Sequence, residues 1–262
     1  FDPELYRIII FDQRGCGRSQ PSPSVEVNET ALLIKDIEQI RSHYGIDKWL
    51  VTGGSWGTTL AMCYGISYPD RCLGFILRGV FLGEQEELDW LYGPDGAAKF
   101  FPDYFQLFNE GVIGKSSNEV ISHYHGKLTD HNEVAAVAAS KNWYLWELRL
   151  SSIEHQFYQN SIEDPHQAHS MALLSCHYFN NGCFISEGYI RDNIHKIGHI
   201  PSIIIHGRYD MVCQLKQAFE LAEIWENASL QILPQAGHSG FETQTIDAFC
   251  KAADIMASFL KK

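Results

Sequence analysis

Apolar positions recur along this chain with two spacings, one strand-like and one helical. The apolar run at 6–11 ends in Asp12-Gln13-Arg14-Gly15-Cys16-Gly17, which predicts a buried strand feeding a glycine-rich turn. Leu33, Ile34, Ile37, Ile40 and Tyr44 recur at helical spacing, with Thr30 placed to cap the start and Gly45 to end it. Trp49-Leu50-Val51-Thr52 predicts a second strand. It runs through Gly53-Gly54-Ser55-Trp56-Gly57 into a helix over 58–68, stopped by Pro69. A third strand is expected at 73–80, two more at 202–206 and 230–233, and a closing helix at 243–260.

Strands alternating with helices at these lengths imply an α/β fold: a mostly parallel sheet with helices on both faces. Residues 84–193 break that rhythm. They concentrate aromatics and helix formers, as in Phe100-Phe101-Pro102-Asp103-Tyr104-Phe105, and lack β-branched runs. They read as a helical cap inserted into a core made of 1–83 and 194–262. Charge follows the same division, because 84–192 holds 16 of the 32 acidic residues and only 6 of the 20 basic ones. Such a segment is either a solvated helical surface or one that attracts cationic ligands.

With 20 basic residues against 32 acidic, net −12, the chain repels phosphate backbones and is not a nucleic-acid binder. No uninterrupted apolar run approaches the ~18 residues of a membrane span. A hydrophobic share of 45% with 20% charged residues belongs to globular rather than disordered chains. Seven cysteines, an odd number without a CxxC pair, read as reduced thiols in a cytoplasmic protein. The start at Phe1 rather than Met leaves room for an upstream segment, a targeting one included.

In a parallel α/β sheet, chemistry gathers at the carboxyl ends of strands. Asp12, Ser55, Asp210 and His238 each follow an expected strand closely. Gly53-x-Ser55-x-Gly57 between strand and helix has the form of a nucleophile elbow, the strained turn that lifts a serine Oγ clear of an α/β-hydrolase sheet. Side chains two residues away on either side would collide, which accounts for both glycines. A serine hydroxyl needs a base to take its proton, and the base needs an acid to orient it. Asp210 follows Ile203-Ile204-Ile205 through His206-Gly207-Arg208-Tyr209, and His238 lies in Gly237-His238-Ser239-Gly240 after the last strand. Ser55, Asp210 and His238 thus occur in the chain order this fold uses. The backbone N–H of Trp56 is the expected first oxyanion donor. The second normally comes from an HGG-type loop after an earlier strand. No such loop lies before residue 6, so N-terminal strands and that loop are expected to precede Phe1, missing from this chain.

Histidines 123, 125, 131, 155, 166, 169 and 177 fall in the acidic insertion, and His123-x-His125 and His166-x-x-His169 have possible metal-ligand spacings. No cysteine or carboxylate pattern completes such a site, so surface histidines and no metal are expected. Cys213 reads as a small buried core residue rather than a reactive thiol.

Asp12-Gln13-Arg14-Gly15-Cys16-Gly17-Arg18-Ser19, Gly53-Gly54-Ser55-Trp56-Gly57-Thr58-Thr59-Leu60, Leu77-Arg78-Gly79 and His206-Gly207-Arg208-Tyr209-Asp210 together resemble the proline iminopeptidases. These are prolyl aminopeptidases with an α/β-hydrolase core and a helical cap. The resemblance runs from residue 1 to about 251. It implies release of N-terminal proline from peptides by a serine mechanism without a cofactor. It also implies that Glu147, in Trp143-Tyr144-Leu145-Trp146-Glu147, binds the substrate's amino group, and that Phe81 and Phe179 wall the proline ring. Three positions depart from the family's pattern. Ser175 replaces a second glutamate two positions before His177-Tyr178-Phe179, Leu91 stands where tyrosine is common, and Gln214 replaces a usual proline.

Two other readings compete with a proline-releasing peptidase. One is a broader α/β-hydrolase, an esterase or amidase accepting other small acyl groups. The other is a non-catalytic ligand-binding relative, which would have no physical need for a complete set of triad side chains.

Overall fold

Four strands pair in parallel in the order β1 (Trp49–Ser55), β2 (Cys72–Val80), β3 (Ser202–Gly207) and β4 (Ala228–Leu233). Phe75 pairs with Ser202 and Ser202 with Ala228, so the strands end together, at Ser55, Val80, Gly207 and Leu233. The helices are α1 (Thr30–His43), α2 (Trp56–Ser67), α3 (Gln85–Tyr92), α4 (Pro102–Phe108), α5 (Ser117–Leu128), α6 (Glu133–Ser151), α7 (Pro165–Asn180), α8 (Tyr189–Asn193), α9 (Leu215–Ile224) and α10 (Thr243–Leu260). This computed structural model describes residues 1–112, 116–153 and 164–261. Among the described residues no helix is long and apolar enough to cross a membrane.

The chain divides into two compact units. The first comprises Phe1–Phe11, Ile34–Leu82 and Gly188–Lys262. Its sheet is covered on both faces because successive residues of β2 point to opposite sides. Phe75 is buried against Gly65 of α2 and lies edge-on to Trp225 at a ring distance of 5.3 Å. Ile76 faces the other way, into a cluster with Ile205, Leu233 and the α10 residues Ala248, Ala252, Ala253 and Met256. The small residues of α10 let helix and sheet approach closely. α1 ends as its pattern predicts, with Gly45 in the left-handed region at φ 63°.

Two local expectations fail. The apolar run at 6–11 is not a strand, and Ile10 is 83% exposed. An extended segment becomes a strand only through a ladder partner, and among the described residues this one has none. It is held by side chains instead: the Tyr6 hydroxyl donates to the Ala253 carbonyl at 2.5 Å, and Phe1 packs edge-on against Tyr6 and Phe249. Thr30 does not cap α1 either. It is the first helical residue, and its hydroxyl donates to the Cys183 carbonyl.

The second unit comprises Asp12–Leu33 and Gly83–Glu187. Its segment 83–187 is helical and, among the described residues, carries no strand, as its composition predicts. Residues 12–33, assigned to the core from sequence, pack here. The Tyr178 hydroxyl donates to Asn28 Oδ1 at 2.6 Å, and His177 Nε2 donates to the Asn28 carbonyl at 2.7 Å. The unit's centre is aromatic: Trp143 and Trp146 are buried, Tyr92 stacks on Trp143 at 4.5 Å, and Trp146 Nε1 donates to the Leu91 carbonyl.

Replacing Gly65 by alanine tests the close approach of α2 to the sheet. In an open helix that change gains about 1 kcal/mol. Here the added methyl would lie 2.5 Å from Phe75 Cζ, and Phe75 is buried without room to retreat. Gly65→Ala is expected to lose about 1–3 kcal/mol, read from the urea midpoint; an unchanged or raised midpoint would refute the close contact.

Candidate active site

β1 delivers Ser55 at its carboxyl end and α2 begins one residue later. Ser55 has φ 56° and ψ −125°, a conformation costly for a residue with a Cβ. Neighbouring hydrogen bonds hold it there. The Thr58 hydroxyl donates to the Ser55 carbonyl at 2.7 Å, the Phe81 N–H donates to Thr58 Oγ1 at 2.9 Å, and the Thr59 hydroxyl donates to the Phe81 carbonyl at 2.7 Å. A side chain at Gly53 would strike the Gly57 carbonyl, as the elbow reading requires. Gly57 differs, since a Cβ there meets nothing within 4 Å among the described residues. Gly54 is required for another reason: a Cβ would meet the Arg78 guanidinium.

The candidate acid and base, Asp210 and His238, follow β3 and β4. Asp210 sits in the turn after β3, where the backbone N–H groups of Val212 and Cys213 donate to its Oδ1 at 3.0 and 2.8 Å. His238 Nδ1 donates to Asp210 Oδ2 at 2.8 Å, which leaves Nε2 as the basic nitrogen. Burial pushes the Asp210 carboxyl up, but His238, His206 and the Cys213 N–H together outweigh it and hold its pKa below 3.8. The same turn places Cys213 Sγ 4.0 Å from Ser55 Oγ. Cys213 is buried, as expected from sequence, and it borders the serine, which was not expected. Space for the His238 ring comes from Gly79, at φ 59°, where a Cβ would lie 3.0 Å from His238 Cε1. Arg78 is half-buried and donates through Nη1 to the His238 carbonyl. The Trp56 N–H belongs to the first turn of α2, where backbone donors have no helical acceptor.

The other sequence candidates are divided between the two units. Phe81 follows β2 in the first unit, with its side chain buried. Asp12, despite following an apolar run, accepts from the backbone N–H of Arg18 at 3.0 Å in the second unit. Glu147 is on α6 of the second unit, and the Tyr92 hydroxyl donates to its Oε1 at 2.7 Å. Phe179 of α7 packs on the same Tyr92 ring at 5.6 Å, so Glu147 and Phe179 share one neighbour. Ser175 is half-buried and Cys176 fully buried; burial and the charge of Glu147 push the Cys176 thiol up. Among the insertion histidines, His169 Nδ1 lies 2.8 Å from the Ser140 hydroxyl, and His155 lies outside the described residues.

Residues 2–245 match the family model described as the alpha/beta hydrolase fold. Similar curated proteins include the proline iminopeptidase of Xylella fastidiosa strain Temecula1, 42% identical over 97% of this chain and 81% of that protein. That of Xanthomonas citri is 41% identical over the same shares. The chain belongs to the proline iminopeptidase family. Among solved structures, an esterase from Exiguobacterium antarcticum superposes with a TM-score of 0.59 at 16% identity, covering 96% of this chain and 80% of that one. At such identity the likeness speaks for the fold alone.

Within this proline iminopeptidase scaffold, sequence reasoning assigned no role to Arg78, His206 or Tyr92. Arg78 and His206 carried a signal, since each is a large polar residue directly following a run of apolar strand residues, in β2 and β3 respectively. Tyr92 carried none.

The depressed Asp210 pKa gives a signed expectation. A group with a lowered folded pKa stabilises the fold above its unfolded value, and that stabilisation fades as pH falls through the folded value. Between about pH 6 and about pH 3 the urea midpoint of the wild type should therefore fall more than that of Asp210→Asn. Parallel curves would show that the carboxyl is not held low.

Proposed function

We propose that this chain is a serine aminopeptidase that releases N-terminal proline from peptides through an acyl-enzyme. The reading rests chiefly on the 2.8 Å hydrogen bond from His238 to Asp210 in the unit whose elbow holds Ser55 at positive φ. Ser55 Oγ attacks the carbonyl carbon of the prolyl residue while His238 Nε2 takes the hydroxyl proton. The Trp56 N–H donates to the oxygen as it gains charge. His238 then returns the proton to the leaving amine as the C–N bond breaks. A water molecule, deprotonated by the same nitrogen, cleaves the ester and frees proline and Ser55. Asp210 keeps its charge throughout and stabilises the imidazolium.

Selection is assigned to the segment 84–193 acting as a cap. Glu147 meets the substrate's secondary ammonium, whose desolvation is costly without an opposite charge. Phe81 and Phe179 wall the pyrrolidine ring. With Ser175 where relatives of the family pattern carry a second carboxylate, Glu147 bears more of the amine recognition. A cytoplasmic location fits seven cysteines present as thiols.

Ser55→Ala should lower turnover of a prolyl naphthylamide by ~10⁴–10⁶. Near-normal turnover would remove Ser55 from the mechanism. Glu147→Gln should cost roughly 2–5 kcal/mol of transition-state stabilisation on the prolyl substrate, measured through kcat/KM. A simple ester without an amine should be turned over almost as before. Equal losses on the two substrates would assign Glu147 to folding alone.

A further inference from the structure

β3 runs Ser202-Ile203-Ile204-Ile205-His206-Gly207, and its one imidazole is completely buried. Leaving a buried ring nitrogen without a partner is costly, so both nitrogens of such a ring need partners. Both have one. The Val80 N–H donates to His206 Nδ1 at 3.2 Å, which places the ring proton on Nε2, and Nε2 donates to the Cys213 carbonyl at 2.8 Å. The same Nε2 lies 3.5 Å from Asp210 Oδ2, the oxygen that accepts from His238.

Cys213 is thus gripped at both ends. Its N–H holds Asp210 Oδ1, and its carbonyl is held by His206. Through the ring, the end of β2 is braced against the turn that presents the catalytic acid. We propose that His206 is a positioning residue, whose Nε2–H, bonded to the Cys213 carbonyl, holds the turn that fixes the Asp210 carboxylate in the orientation His238 requires. The proposal rests on the triad reading given above. The groups that face the ring are Asp210, His238 and the Arg78 guanidinium. Burial, the largest influence, holds His206 below the ordinary histidine range; Asp210 opposes it, while His238 and Arg78 add to it. The ring therefore works as a neutral donor, with no second proton.

Two amide substitutions separate its nitrogens. His206→Asn keeps an acceptor near the Nδ1 position and deletes the distal donor, whereas His206→Gln places an amide N–H near the Nε2 position. Rates would be measured on the full chain with a prolyl naphthylamide and a simple ester, normalised to sites titrated by a fluorophosphonate. His206→Asn should lower kcat on both substrates by roughly 10- to 100-fold, the scale on which outer-shell supports act. KM should stay within about twofold, because no substrate contact is lost. The acid limb of its kcat/KM profile should move to lower pH, since a misaligned carboxylate stabilises the His238 imidazolium less. His206→Gln should recover most of the rate and return the limb. A normal kcat and limb in His206→Asn, or equal loss in both variants, would overturn the proposal.

Imidazole ¹⁵N spectra of the wild type give a second reading that needs no variant. At about pH 7 His206 should show the Nε2–H tautomer, and a ring found there as the Nδ1–H tautomer or carrying both protons would also overturn it. Ser55→Ala keeps the two failures apart. If that variant is inactive and His206→Asn is normal, only the positioning role falls; if it stays active, the triad falls first.

Discussion

A carboxylate removed from water stays ionised only where donors and opposite charge replace the lost hydration, and Asp210 is held in that way. One oxygen takes two backbone N–H groups of its own turn, and the other takes His238 Nδ1. Those bonds give the turn its shape. The turn in turn sets Cys213 beside Ser55 and offers its carbonyl to His206. Arg78 contributes charge from β2 and fastens the base's own carbonyl. The glycines nearby follow from the same crowding, since Gly54 clears the guanidinium and Gly79 clears the imidazole.

Much of this was legible from residue order. Apolar runs and helical spacing placed β1 to β4, α2 and α10 closely, helped by punctuation such as Pro69 after α2 and Gly207 at the end of β3. The elbow was legible because its strain requires a recognisable spelling. Residues whose roles depend on a distant partner were not. The run at 6–11 has the apolarity of a strand, but a strand is defined by what it pairs with. Thr30 looked like a cap because that rule is local, and a carbonyl from residue 183 claimed its hydroxyl instead. Gly57 was credited with avoiding a collision that only Gly53 faces.

The second unit shows a different balance. Its helices run from 7 to 19 residues and their interior is aromatic, with Tyr92, Phe108, Tyr124, Trp143 and Trp146 in ring contact. Aromatic side chains bury large area with few rotatable bonds, which suits a small helical unit without a sheet. The Tyr92 hydroxyl is the polar exit from that interior, and it is spent on Glu147. A carboxylate so tethered is pre-oriented, and in the proposed amine-binding role it would lose less entropy on binding.

The pairing of β2 with β3 joins segments separated by residues 81–201. Loop-closure entropy grows slowly, by roughly 0.6 kcal/mol for each doubling of length, so the equilibrium cost is mild. The kinetic cost is larger, because contacts this distant in sequence form late. On the proposed triad, Ser55 is synthesised well before residues 84–193, and Asp210 and His238 well after. A chain emerging from the ribosome therefore carries an inert hydroxyl through most of its synthesis, and hydrolytic competence arrives only once the last strand and its loop have joined the sheet.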